Sequence, residues 1–151
     1  MNTQGFYYIE INLIIMKLNR INTLRLSIAM LLSFIFYGCS NSIPFESSRI
    51  VPAADAEVSV KQEDNNNYAV DIEIENLAKP GRLHPPRNTY VAWYQTDSGP
   101  QKIGQIIVNN NLKGSLETVL PNRPNRIFIT AEQDPSVEYP NTPIILETGN
   151  I

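Results

Sequence analysis

Residues Tyr68–Glu75 show the clearest strand pattern of the chain and read Tyr-Ala-Val-Asp-Ile-Glu-Ile-Glu. Successive side chains of an extended chain point to opposite faces of a sheet. One face of this segment is therefore apolar throughout, and the other is mostly acidic. A helical period of 3.6 residues would mix the two sets around the helix surface. The pattern predicts a β-strand with one buried face and one solvated face.

The flanking sequence extends this pattern. Ala56–Val60 is a shorter strand-like run upstream, and residues 63–67 are typical of a turn, so we predict an antiparallel hairpin. Downstream, Thr89–Gln95 is apolar or aromatic on both faces, which is typical of a central strand. Asp97–Pro100 predicts a turn into a strand at Ile103–Val108, which gives a second hairpin.

Three further strands are predicted, at Gly114–Leu120, Ile127–Glu132 and Ile144–Thr148. The chain then has about seven short strands, with turn residues between them and no helical segment. This spacing predicts an all-β fold, an antiparallel immunoglobulin-like β-sandwich of about seven strands. A small β-barrel is the structural alternative. We expect the chain to change sheet in the proline-containing stretch Lys79–Asn88.

The N-terminal sequence has the features of a secretory leader. Met16–Arg25 is basic, and Leu26–Gly38 follows without a charge. As a helix the uncharged run spans about 20 Å, which is shorter than the ~30 Å hydrocarbon core of a bilayer. A signal peptide is therefore favoured over a membrane span. Residues 36–39, Phe-Tyr-Gly-Cys, resemble the lipobox of bacterial lipoproteins, which implies a diacylglyceryl group on the sulfur of Cys39 and cleavage after Gly38.

These observations predict three parts: a signal peptide at residues 1–38, a lipid anchor and flexible tether at residues 39–54, and the sandwich at residues 55–151. Residues 1–15 precede the leader, so we expect Met16 to be the true start. A contribution of the apolar stretch Ile11–Met16 to anchoring is the alternative. The expected location is the cell envelope, facing the periplasm from the inner or outer membrane or exposed on the cell surface.

The charges are divided unevenly along the chain. Residues 1–38 contain three of the 12 basic residues and one of the 15 acidic residues. Residues 39–151 therefore carry 9 basic and 14 acidic residues, a net charge of −5. Binding to nucleic acid needs clustered Lys and Arg, so we expect no nucleic acid partner. The single cysteine excludes an internal disulfide and a multi-cysteine zinc site.

Four stretches in the second half of the chain resemble a known domain. They are Tyr90-Val91-Ala92-Trp93, Ile103-Gly104-Gln105, Arg126–Glu132 and Thr142–Leu146. Their order resembles the extracytoplasmic C-terminal domain of anti-sigma-K factors, and the resemblance implies an extracytoplasmic β-domain. In that family a separate cytoplasmic helical domain holds the sigma factor. Only a leader precedes Cys39 in this sequence, so we expect no direct binding of a sigma factor.

Trp93 and Tyr94 are candidates for an aromatic ligand platform. Neighbouring residues on a strand point to opposite faces, so the two rings cannot stack on one ligand. A sandwich core commonly buries a Trp on such a strand, and we predict that Trp93 packs in the core. Tyr94 and Tyr139, as exposed rings, are candidates for stacking on a sugar.

Charged residues supply two further candidate sites. Asp71, Glu73 and Glu75 share a strand face and are candidate cation ligands. Their spacing separates neighbours by about 6.6 Å, so we predict a solvated face instead. Arg123 and Arg126, together with Lys113, are candidates for a basic rim that contacts a partner carboxylate. Solubilising loop charges are the alternative.

His84 is the only histidine, and it lies in the predicted crossover. No second histidine and no Gly-x-Ser-x-Gly motif accompany it, so we interpret it as a loop residue. A hydrolase would need His84, Ser98 and either Asp97 or Asp134 to come together. Nothing in the local sequence supports that arrangement.

The sequence thus predicts a non-enzymatic envelope lipoprotein with no metal or cofactor. Its lipid anchor would hold it at a membrane, where the sandwich domain contacts other envelope proteins. The alternative is a small-ligand or glycan-binding module that uses the loops at one end of the sandwich.

Overall fold

A computed structural model describes residues 42–151, and the eight strands in that range pair only in antiparallel fashion. The strands are β1 (Ser42–Pro44), β2 (Asp55–Gln62), β3 (Tyr68–Glu75), β4 (Thr89–Thr96), β5 (Gly99–Ile106), β6 (Gly114–Leu120), β7 (Arg126–Glu132) and β8 (Ile144–Glu147). They form two four-stranded sheets, in the orders β1-β2-β3-β6 and β5-β4-β7-β8. The predicted leader at residues 1–38 and Cys39 lie outside the described residues.

The alternation in β3 creates the core as the sequence predicts. Val70, Ile72 and Ile74 are buried, whereas Glu73 and Glu75 are exposed. The inward side chains of the second sheet pack against them: these are Tyr90, Ala92, Tyr94, Ile127, Ile129 and Ala131. Contact between the two sheets therefore rests on every second residue of the central strands.

The connections give an immunoglobulin-like order. The chain crosses to the second sheet between β3 and β4, returns between β5 and β6, and crosses again between β6 and β7. The first crossover occupies residues 76–88 and includes the predicted stretch at residues 79–88. Without β1, the two sheets correspond to strands A-B-E and C′-C-F-G of immunoglobulin-like sandwiches. Strand β5 takes the place of C′ and pairs with β4, which takes the place of C.

The predicted tether at residues 39–54 is partly built into the domain, so the sandwich begins at Ser42 instead of Asp55. Strand β1 pairs with β2, and Phe45 forms an isolated bridge with Thr148. The amide N of Phe45 donates to Ala56 O in the first sheet (2.8 Å), and the amide N of Glu46 donates to Glu147 O in the second (2.7 Å). The polar composition of the segment conceals this role because its pairing comes from backbone groups.

Strand β5 begins at Gly99, four residues earlier than predicted. A register shift between Ala92 and Trp93 leaves Ile103 without a direct partner on β4, which disrupts the period-two pattern there. Pro100 is compatible with this strand because β5 lies at the edge of its sheet. The turn needs Gly99, whose φ of 118° is rarely adopted by other residues.

Tyr90 anchors β4 to the crossover. Its ring is fully buried in the core, and its hydroxyl donates to Ala78 O at 2.9 Å. Burial raises the pKa of the Tyr90 hydroxyl from 10.0 to about 12. The neutral phenol is therefore the form that the folded protein favours.

Replacing Tyr90 with Phe removes this hydrogen bond and should cost about 1 kcal/mol of unfolding free energy at neutral pH. The pKa of Tyr90 is higher in the folded state, so its contribution to stability is complete below pH 10 and is lost as the pH rises towards about 12. Urea unfolding near neutrality and at about pH 11 should therefore show a smaller alkaline loss in Tyr90→Phe than in the native protein.

The matched control is Tyr139→Phe, because that ring is 69% exposed. This variant should follow the native protein at both pH values. An undiminished alkaline loss in Tyr90→Phe would contradict the assignment.

Candidate functional site

The residues of the hypothetical hydrolase are not brought together. Ser98 lies in the turn after β4, where its Oγ is 2.9 Å from Thr96 Oγ1, whereas His84 precedes β4. An eight-residue strand separates them, about 26 Å at 3.3 Å per residue. Asp97, next to Ser98, accepts a hydrogen bond from Asn125 Nδ2 at 3.0 Å. Asp134 follows β7, and the amide of Ser136 holds the pKa of its carboxyl below the ordinary value.

Trp93 is fully buried, but not between the two sheets. It packs with Val91, Phe128 and Val137 in a second cluster on the outer side of the second sheet. The prediction that it lies in the sandwich core is therefore wrong about the face, because the inward positions on β4 are Tyr90, Ala92 and Tyr94. The indole N–H donates to Thr130 Oγ1 at 2.8 Å.

Residues 133–143, between β7 and β8, cover this cluster and are called the flap. Val137 is the flap residue that packs on the cluster. Lys102 Nζ donates to Pro135 O, and Asn88 Nδ2 donates to Gln133 O at 2.9 Å. The outer face of the second sheet is thus covered in part by the chain's own loop, and it is not an open aromatic platform.

Glu132 fastens the other end of the flap. Its side chain is fully buried, and Oε1 accepts hydrogen bonds from Thr142 Oγ1 (3.1 Å) and from the amide N of Asn141 (3.4 Å). Oε2 has no hydrogen-bond partner among the described residues. An unpaired buried polar atom costs about 1–3 kcal/mol, so the unpaired Oε2 lowers the unfolding free energy while Oε1 holds the loop.

The two tyrosines considered for sugar stacking differ in exposure. Tyr94 points into the core and is 5% exposed, so the expectation of an exposed ring is wrong for this residue. Tyr139 is 69% exposed on the flap. A single exposed ring lacks the second aromatic surface that would sandwich a sugar.

Replacing Val137 with Ser should loosen the flap over Trp93. Because Trp93 is the only tryptophan, its fluorescence reports this site alone. We expect emission at longer wavelength, stronger quenching by acrylamide, and a loss of about 1 kcal/mol in unfolding free energy. Val119→Ser is the control, since Val119 is 56% exposed on the other sheet. Unchanged quenching in Val137→Ser would show that the flap does not shield the ring.

No loop of residues 42–151 covers the outer face of the first sheet, and this face is strongly acidic. We call it the acidic face, and its carboxylates are Asp55, Glu57, Asp71, Glu73, Glu75 and Glu117. The small residues Ser59, Ala69 and Ser115 lie between these carboxylates, so the face is flat there. A shallow groove of about 510 Å³ lies at the end of this face near Lys61 and Val119.

The strand register places like charges directly opposite one another on the acidic face. The pairs are Asp55 with Glu75, Glu57 with Glu73, and Asp71 with Glu117. Directly opposed like charges destabilise a sheet, by up to about 1 kcal/mol for each pair. Sequence reasoning found three of these carboxylates on β3. It missed their partners because register is a property of the folded sheet.

The predicted basic rim does not form. Lys113 precedes β6 and is ion-paired with Glu75, whose hydrogen bond and charge raise the pKa of the lysine. Arg126 begins β7, at the opposite end of the sandwich, where it binds Glu147 at 2.6 Å and lies 5.3 Å from the centre of the Phe128 ring. Arg123 lies in the loop before β7.

Comparisons with protein-family models, with curated proteins and with solved structures found no match to this chain. Within residues 42–151, no three side chains of the Asp, Glu, His or Cys type converge as metal ligands would. The same part of the chain contains no helix with the length and apolar character that a membrane crossing requires. The acidic face is the most distinctive surface of the described domain.

Proposed function

We propose that the protein is a lipid-anchored, non-enzymatic module of the cell envelope that binds a partner protein through its acidic face. The observation that carries this proposal is the pair of like-charged contacts Glu57–Glu73 and Asp71–Glu117, which no ion pair among residues 42–151 neutralises. The third pair, Asp55–Glu75, adds less because Lys113 is ion-paired with Glu75. In the free protein this repulsion lowers the unfolding free energy. A partner surface rich in Lys and Arg would neutralise the carboxylates, so binding would remove the repulsion.

The size of the face predicts the character of the contact. Strands β2, β3 and β6 rise about 26 Å and lie about 4.8 Å apart, and the three-residue β1 adds little, so the face measures roughly 400 Å². A standard interface buries about 800 Å² on each partner. We therefore expect a transient complex with a fast, salt-sensitive association that depends on charge attraction.

The lipid anchor belongs to the same proposal. Cys39 lies three residues before the first strand, a reach of at most about 11 Å along the chain. An acylated Cys39 would therefore hold the domain close to the bilayer, where its partners would be other envelope proteins. The resemblance to the outer domain of anti-sigma-K factors supports a role in protein contact, without a sigma factor bound directly.

The double substitution Glu57→Gln with Glu73→Gln tests the acidic face. Removing one facing pair should raise the unfolding free energy by up to about 1 kcal/mol at low salt. Crosslinking in intact membranes, followed by affinity capture of the acylated protein, should recover less partner than the native chain does. Glu138→Gln is the control, because this exposed carboxylate lies on the flap. Capture of no reproducible partner by the native protein would overturn the proposal.

Cys39→Ser tests the anchor. The substitution should abolish incorporation of labelled palmitate and the mass increase of acylation, and it should release the domain from membranes. Stable anchoring requires more than one acyl chain, which a serine at this position does not provide. Ser40→Ala is the adjacent control and should leave acylation intact. Detection of an unmodified thiol in the native membrane protein would exclude lipidation.

The alternative function is a small-ligand or glycan-binding module. Tyr94 is buried and cannot stack on a sugar, so Tyr139 is the remaining candidate of the two. The loops at one end of the sandwich nevertheless form a groove of a different chemistry.

A further inference from the structure

A groove lies at the end of the sandwich where β3 ends and β4 begins, and we call it the loop-end groove. It consists of a cavity of about 450 Å³ and a smaller one of about 90 Å³. The two cavities share Ile50, Leu83 and His84, so they adjoin each other. The walls come from the segment before β2, from the crossover, and from the end of the flap at Thr142 and Pro143.

Hydrogen bonds fix all three walls. The hydroxyl of Ser48 accepts from the amides of Ile50 (3.2 Å) and Val51 (3.0 Å). In the crossover, the amides of Leu83 and Arg87 both donate to Pro80 O at 3.1 Å. Thr142 is held by the buried carboxylate of Glu132. A site built on fixed walls loses little conformational freedom when it binds a ligand.

The floor of the groove is aliphatic. Ile50 is 44% exposed and lines both cavities, and Leu83 packs beside it. Val51 lines the larger cavity, whereas Pro143 and Ile145 line the smaller one. An exposed aliphatic side chain at the centre of a preformed concave surface is typical of a ligand site.

The rim of the groove carries two arginines, although the domain as a whole is acidic. Arg82 lines the larger cavity, Arg87 lines the smaller one, and His84 lines both. The only ion pairs among residues 42–151 are Lys113 with Glu75 and Arg126 with Glu147, so neither arginine of the groove is neutralised within that range. A guanidinium group suits the planar geometry of a carboxylate, which it can bind through two hydrogen bonds.

We propose that the loop-end groove binds a small aliphatic carboxylate, such as a free medium-chain fatty acid. The alkyl chain lies on Ile50 and Leu83, and the carboxylate meets the arginines of the crossover. The ligand combines the two chemistries that the groove offers, an apolar floor and uncompensated positive charge. The site is separate from the acidic face, so this proposal and the proposed protein contact can fail independently.

The test titrates the full-length protein in nanodiscs with octanoate by calorimetry, with empty nanodiscs as the blank for partition into lipid. The native protein should bind octanoate saturably. Arg82→Gln and Arg87→Gln should each weaken binding about tenfold, as should Ile50→Thr, which shortens the apolar floor at an exposed position. Octanamide, which has the same chain without the charge, should bind at least tenfold more weakly than octanoate.

Two substitutions outside the groove are the matched controls. Arg123→Gln removes an arginine at the opposite end of the sandwich, and Ile107→Thr changes an isoleucine that is 74% exposed elsewhere. Both should bind octanoate as the native protein does. The proposal is overturned by the absence of saturable binding, by equal binding of octanamide, or by equal losses in the groove variants and the controls.

Discussion

The structure depends on the apolar contact between β3 and the inner face of β4 and β7. On β3 this contact uses every second residue, so the same strand that builds the core must present its remaining side chains to solvent. In β4 both sides are buried, one by the opposite sheet and the other by the flap over Trp93. The two sheets therefore have different outer surfaces: one is covered in part by the flap, and the other is acidic and has no covering loop among residues 42–151.

Much of this architecture follows from local sequence. The alternation of β3 and β6 places these strands at their observed bounds, because alternation in a half-buried strand records the burial of each residue directly. Strand β7 is buried on both faces, and its apolar run places it within one residue of its observed bounds. Strand β5 was misplaced at the irregularity opposite Ala92 and Trp93, where the alternation fails. Strand β1 was missed because a three-residue edge strand has too few side chains to show any period.

The surfaces that carry the two functional proposals were less accessible to sequence reasoning. The acidic residues of β3 were evident, but Glu57 and Glu117 became significant only when register set them against β3. The loop-end groove joins residues near positions 50, 83 and 143, and no local pattern relates segments so far apart in the chain. His84 illustrates the limit, since its loop position was predicted correctly while its neighbours were unknown.

The first residues of the domain have a mechanical consequence. The backbone amides of Phe45 and Glu46 donate hydrogen bonds to opposite sheets, and β1, just before them, pairs with β2. A force applied at the N terminus would act on the hydrogen bonds between β1 and β2 before it acted on the central strands. If the chain is tethered at Cys39, the pairing of β1 with β2 would resist tension between the anchor and the domain, and loss of that pairing would lengthen the tether while the rest of the fold stays intact.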